Sequence, residues 1–166
     1  QKAYNVCKNI YFPNGNFILD TLEIQSETSI TGSPSTRLID KPNSTEDAMF
    51  TLAVGPVVHV RFNNLLVVGH ITNPNKHGFF LEAKPQQGDN NGGMWWSSFT
   101  NVIVGSFTGS GFNFQGGPSS GIYAYLLPHQ FIQFNGVRSF SGKNTNDGFV
   151  LSGQCGQMIF NECEFE

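Results

Sequence analysis

The chain has 166 residues and a formal net charge of −3, with 13% charged residues, and this length is enough for one domain with a hydrophobic core. The acidic balance argues against a nucleic-acid partner, because phosphate binding needs clustered Lys and Arg. No apolar run reaches membrane-spanning length and no signal peptide opens the sequence, so we expect no membrane insertion.

The first predicted elements are a short helix and the strands of one coil. Apolar residues at helical spacing predict an amphipathic helix over residues 1–8, which would cap the open edge of a stack of strands. The strands predicted after it are Asn9–Phe12, Asn16–Leu19, Leu22–Ile24 and Ser29–Thr31. Residues 40–48 and 84–93 are rich in turn-forming residues and predict surface loops.

An internal repeat follows. Four segments align without gaps and share a Phe, then a polar residue, then Asn, Gly or Glu, then an apolar residue: residues 60–67, 97–104, 132–139 and 158–165. A second motif built on Gly-Phe alternates with the first, at residues 78–81, 111–114 and 147–151. Such alternation is typical of coils that each supply short strands to separate parallel sheets.

The repeat predicts an all-β fold, a right-handed parallel β-helix (β-solenoid). In this register, Phe62, Phe99, Phe134 and Phe160 point inward and stack, and Asn or Gly occupies the turns. The Phe residues are separated by 37, 35 and 26 residues, which indicates loops on some coils and argues against a β-propeller with blades of equal length. We expect residues 1–166 to form one domain, and a fragment of a longer solenoid, because the sequence ends in mid-repeat.

The segment Asn9–Phe17, with Leu22–Ile24 and Ser29–Gly32 after it, resembles the opening coil of pectate-lyase-like β-helices. It is most similar to that of bacteriophage tailspikes and capsular polysaccharide depolymerases, and Ser35–Ile39 is like their next strand. Asn14 stands where a second Pro is commoner. The resemblance implies a homotrimeric, extracellular fibre of the virion tail that binds and cleaves bacterial surface polysaccharide, capsular or O-antigen, as a glycoside hydrolase or a lyase. The motif marks the fold, and no catalytic motif can be carried over.

Candidate catalytic residues lie on the last predicted strand. Glu164 and Glu166 alternate with Phe165 and therefore share one outer face, about 6.6 Å apart along the backbone. That separation suits two carboxyl groups flanking a glycosidic bond. Arg138 is expected one coil below Glu164. The alternative is an ordinary solvated Arg–Glu pair.

Candidate substrate-binding residues form a second outer column. His59, Trp96 and Phe131 each lie three residues before the repeat Phe, as does Gln157, and Arg61 stands beside them. Exposed aromatic rings with polar neighbours can pack against sugar rings. Tyr123 and Tyr125 are further candidates for sugar contacts or an interface. The alternative for the column is that a loop or a neighbouring subunit covers it.

Two other functions remain open. One is a β-helix without catalysis, such as a carbohydrate-binding adhesin or a structural fibre. The other is a cellular pectate-lyase-like enzyme, a class that often uses calcium held by clustered Asp, and no Asp cluster occurs here. We predict no metal and no other cofactor, because the His residues and the three Cys have no metal-ligand spacing.

Overall fold

The computed structural model describes residues 8–85, 92–117, 128–141 and 147–166. These residues form an all-β structure of two parallel sheets. They include no helix, and therefore none that could cross a membrane. The predicted capping helix over residues 1–8 falls outside the described residues except for Lys8, which is not helical.

The larger sheet contains two runs of parallel strands, each strand paired with the strand of the next repeat. The first run consists of β1 (Asn9–Phe12), β4 (Ser29–Gly32), β8 (Arg61–Val68), β10 (Gly93–Phe107), β12 (His129–Asn135) and β15 (Cys155–Asn161). The second run consists of β2 (Gly15–Leu19), β5 (Thr36–Asp40), the later halves of β8 and β10, β13 (Arg138–Ser141) and β16 (Glu164–Phe165). A short strand, β7 (Pro56–Val58), pairs with the start of β10.

The smaller sheet holds the third strand of each repeat. Its members are β3 (Leu22–Ile24), β6 (Ala48–Leu52), β9 (His77–Glu82), β11 (Phe112–Gln115) and β14 (Phe149–Ser152). The chain therefore visits the first run, the second run and the smaller sheet in turn. We call each such visit a level, and neighbouring levels are about 4.8 Å apart.

The register of the strands confirms the predicted alignment. Phe62 pairs with Phe99, Phe99 with Phe134 and Phe134 with Phe160 along the first run. The second motif aligns in the same way, with Phe112 between Phe79 and Phe149 in the smaller sheet. All the pairings described are parallel, as the alternating repeat requires.

The two runs of the larger sheet meet at a bend with left-handed backbone. The bend residues are Asn64, Asn101, Gly136 and Glu162, with φ between 51° and 61°. Asn and Gly tolerate this conformation, and their presence in the repeat is explained by it. Glu162 is the exception in this series, since its side chain gives no local compensation for the same backbone.

The core consists of two Phe ladders that meet edge to face. Phe99 is parallel to Phe62 and to Phe134, with ring centroids 5.0 Å apart in both pairs. Phe79 stacks on Phe112 in the second ladder at 4.8 Å. Phe160 stacks on Phe134 at 4.8 Å but is 41% exposed, because β15 is the last strand of its run. Its predicted inward direction is therefore confirmed, whereas full burial is not found.

A buried polar cluster that was not predicted from the sequence lies beside the second run. The Lys76 ammonium is 2.9 Å from the Asp40 carboxylate, and both side chains are almost fully buried. Lys76 also donates to Ser44 at 2.6 Å, and Asn73 donates to Asp40 at 2.5 Å. Asp40 is the last residue of β5, so the loop predicted for residues 40–48 begins one residue later and is tied to the sheet by this cluster.

Candidate functional site

The predicted outer column runs along the beginning of the first run. Trp96, Phe131 and Gln157 lie within β10, β12 and β15, and His59 lies two residues before β8. Trp96 lies directly below Phe131 of the next level, because Trp95 pairs with Gln130 and Ser97 with Ile132. Trp96 is 50% exposed and Phe131 41%. His59 and Gln157 occupy the levels below and above and are also exposed. The prediction that these residues point outward is confirmed.

The backbone of this column is left-handed at every level. Glu27, His59, Trp96, Phe131 and Gln157 have φ values between 47° and 62°. For residues other than Gly this conformation costs about 1–2 kcal/mol each. Local hydrogen bonds hold it at Trp96, where the Trp95 carbonyl accepts from the backbone N–H of His59 at 3.1 Å and from the Ser97 hydroxyl at 2.9 Å. The column is thus a fixed part of the strand geometry.

The aromatic rings of the column form a ladder. Trp96 and Phe131 are nearly parallel, with an interplanar angle of 9° and centroids 5.7 Å apart. This separation is within the range of offset stacking. His59 is tilted by 37° beneath Trp96 at 5.9 Å. Because the rings are offset and half-exposed, apolar ring surface remains available to a ligand.

The ladder forms one wall of an open groove of about 710 Å³. Its other wall comes from residues two positions after the column residues along the first run: Arg61, Ser98, Gln133 and Ile159. The described residues that line it are Arg61, Trp96, Ser97, Ser98, Phe131, Gln133, Gln157 and Ile159. The lining combines apolar surface with amide and hydroxyl groups, and Arg61 is the one charged residue among these eight.

A smaller cavity of about 360 Å³ continues the groove toward the first levels. It is lined by Asn9, Glu27, Ser29, His59 and Arg61, so Arg61 belongs to both. The Lys8 ammonium donates a hydrogen bond to Glu27 at 2.8 Å and thereby lowers the pKa of the Glu27 carboxyl. Together the two cavities follow the column from Glu27 to Gln157.

The predicted catalytic residues lie apart from this groove, on the second run. Arg138 pairs with Glu164 in register, as predicted, and its Nε atom is 3.6 Å from the Glu164 carboxylate. Both side chains are at least half-exposed, and Glu166 is exposed as well. An exposed pair of this kind contributes little to stability. In the single chain the acidic strand faces solvent.

The last predictions to be placed are the two tyrosines and the absence of a metal. Tyr123 and Tyr125 lie outside the described residues. No group of three His, Cys, Asp or Glu side chains that could hold a metal occurs in the part of the chain that is described. His129 is fully buried and accepts a hydrogen bond at Nδ1 from the Met94 N–H, and burial lowers its pKa to about 4. It is therefore a neutral structural residue at pH 7.

A second outward surface was not predicted from the sequence. Outer positions of the second run carry apolar side chains at successive levels, which we call the apolar face: Ile18, Ile39, Leu66, Val68, Ile103 and Phe140. Ile18 is 66% exposed and Ile103 36%. Residues 65–68 are all apolar, on both the inward and the outward side of the strand. This pattern is consistent with an exposed apolar face, but it is equally typical of a strand buried on both faces.

No family model, no curated protein and no solved structure matches the chain. The interpretation of the groove therefore depends on the chemistry of its own residues.

Proposed function

We propose that the chain forms a right-handed parallel β-helix whose lateral groove binds an extended polysaccharide. The order of strands supports the first part, because each visit to one sheet is followed by a crossover to a parallel neighbour in that sheet. Crossovers between parallel strands of one sheet are right-handed in about 98% of cases. Successive crossovers of one hand wind the chain into a helix of stacked levels.

The observation that carries the binding function is the Trp96–Phe131 ladder in an open, elongated groove. The column from Glu27 to Gln157 crosses four spacings between levels, about 19 Å in all. An open groove of that length suits a polymer better than a small ligand, which would be enclosed more fully. The rings supply apolar contact for sugar C–H groups, and Gln133, Gln157 and Ser98 supply hydrogen bonds for hydroxyl groups.

Binding assays on a panel of bacterial capsular and O-antigen polysaccharides test this function. Replacing Trp96 with Ala removes the largest exposed ring and should weaken binding about 10-fold or more, which corresponds to about 1.4 kcal/mol. Phe131→Ala should weaken the same interaction. Ile71→Ala is the matched control, because Ile71 is 73% exposed and does not line the groove. Equal affinities for Trp96→Ala, Ile71→Ala and the unmodified chain would contradict the proposal.

We also propose that the protein is a homotrimer, and the apolar face favours this assembly. A second copy packed on Ile18, Ile39 and Ile103 would remove exposed apolar surface from water, while the groove on the first run would stay open for the polysaccharide. Replacing Ile103 with Asp should shift the mass in solution, measured by light scattering, from three chains toward one. A single-chain mass before any substitution would contradict the assembly.

We further propose that the protein cleaves the polysaccharide and that it acts outside the cell as part of a virion tail, as the resemblance to phage tailspikes implies. The candidate residues for cleavage remain Arg138, Glu164 and Glu166, which lie at exposed positions along the second run, apart from the groove. Glu164→Gln and Glu166→Gln should each reduce turnover at saturating polysaccharide by about 10²-fold if they act as acid or base. Glu46→Gln, on an exposed loop, is the control. Unchanged turnover in both variants would remove this site, and a chain that binds without cleaving would be a carbohydrate-binding fibre.

A further inference from the structure

Arg61 occupies the point where the two cavities of the groove meet. It is the first residue of β8, and it lies between Ser29 on the level below and Ser98 on the level above. Its side chain is exposed. Both neighbours are small and uncharged, so they do not neutralise the guanidinium, which offers five N–H donors.

No anion of the protein neutralises Arg61 within the described ranges. None of the ion pairs found there includes Arg61. Glu27 shares the smaller cavity with it, but the Glu27 carboxylate is engaged by Lys8 at 2.8 Å. The larger part of the groove, from Trp96 to Ile159, is lined by uncharged residues apart from Arg61 itself. Among the residues described for the groove, Arg61 is therefore an unpaired cation next to an aromatic wall, in a chain whose net charge is −3.

We propose that the polysaccharide bound in this groove is acidic, and that Arg61 binds the carboxylate of a uronic or sialic acid unit while Trp96 packs against the sugar ring. The inference rests on the proposed function and names its substrate class. A guanidinium offers two parallel N–H donors that match the two oxygens of a carboxylate. Trp96 lies one level above His59 and two residues before Ser98, the partner of Arg61, so the ring and the cation flank the same stretch of groove.

The test compares acidic polymers with their own neutral forms. Polygalacturonate, hyaluronan and polysialic acid are each offered together with the carboxyl-reduced polymer, in which the carboxylate has become a primary alcohol and the chain is otherwise unchanged. We expect at least one acidic polymer to bind at least 10-fold more tightly than its reduced form. The difference should shrink as salt is raised, because an exposed charge pair is screened.

Substitutions at Arg61 complete the test. Arg61→Met should abolish the preference for the acidic polymer, and Arg61→Lys should retain only part of it, since Lys keeps the charge and loses the two-pronged geometry. Arg37→Met is the matched control, because Arg37 is also an exposed strand arginine but lies on the second run. It should leave the preference intact.

The outcomes separate this inference from the proposed function. If acidic and reduced polymers bind equally, or if Arg61→Met retains the preference, the inference is overturned while Trp96-dependent binding can stand. A preference for sulfated over carboxylated polymers would also overturn it. If no acidic polymer binds, the inference fails, and if in addition no polysaccharide shows Trp96-dependent binding, the proposed function fails with it.

Discussion

The Phe ladder of the first run allows a sharp test of how the levels stabilise one another. Phe99 lies in the middle of this ladder, parallel to Phe62 on one side and to Phe134 on the other. It also meets Phe79 and Phe112 edge to face, at 5.5 and 5.6 Å. Replacing Phe99 with Ala would leave a cavity closed on all sides, because the residue is fully buried.

The expected cost follows from this environment. A buried Phe→Ala change costs about 3–5 kcal/mol, from lost transfer free energy and from the cavity that remains. Phe160 provides the internal comparison, since it stacks on Phe134 alone and is 41% exposed. With roughly half of its surface already in contact with water, Phe160→Ala should cost about 1.5–2.5 kcal/mol by the same scale.

Urea denaturation followed by far-ultraviolet circular dichroism measures both values. Thr100→Ala, next to Phe99 but pointing outward, is the control and should change the free energy of unfolding by about 0.5 kcal/mol or less. Equal m values in all the variants are needed for the comparison. If Phe160→Ala lowers the free energy of unfolding as much as Phe99→Ala does, then Phe160 is covered in solution. That result would contradict the exposure of the ladder at Phe160.

Three further predictions concern buried charge, pH and backbone strain. Lys76→Met leaves the Asp40 carboxylate buried without its cation and should lower the free energy of unfolding, measured in urea, by about 3–5 kcal/mol. Adding Asp40→Asn should restore at least half of this loss. A Lys76→Met variant as stable as the unmodified protein would contradict the buried ion pair. Burial lowers the pKa of His129 from 6.5 to about 4, so the unfolded state binds a proton more readily than the folded state. The free energy of unfolding should therefore fall by roughly 2–4 kcal/mol as the pH drops from about 6.5 to 4. His129→Gln should make stability less dependent on pH in this range, and an unchanged dependence would refute the role of His129. Glu162→Gly should raise the urea midpoint and increase the free energy of unfolding by about 0.5–1 kcal/mol, because Glu162 has a φ of 53° that Gly adopts without strain. A lower midpoint would show that the Glu162 side chain stabilises the bend.

The sequence was sufficient to align the four levels from Val60 onward and the strands with the Gly-Phe motif, for a physical reason. Each of these levels repeats an inward Phe and a left-handed bend, so Phe62, Phe99 and Phe134 could be aligned from residue type alone. The first two levels have Ile10 and Ile30 at the inward position instead, and Ser29–Gly32 pairs with Asn9–Phe12 on the next level, whereas the sequence predicted both in one coil. The same alignment placed Trp96 and Phe131 on the outside, since the strand period of two fixes which side chains point outward. The alternating Gly-Phe motif gave the smaller sheet in the same way.

Features that depend on distant residues could not be predicted. Lys76 and Asp40 are 36 positions apart in the chain, and neither belongs to the repeat, so nothing in the pattern pairs them. The left-handed backbone at Trp96 and Phe131 runs against residue preference, because bulky side chains avoid it. The solvent exposure of Glu164 could not be predicted from the repeat either. The repeat places its side chain on an outer face, but burial depends on what packs against that face.

The most direct test of the central claim is a crystal structure of the protein with an oligosaccharide that it binds. The proposal predicts sugar rings against Trp96 and Phe131, with the glycan running across successive levels toward Arg61. A glycan bound on the apolar face or on the smaller sheet, with the Trp96 groove empty or covered by another copy of the chain, would contradict it.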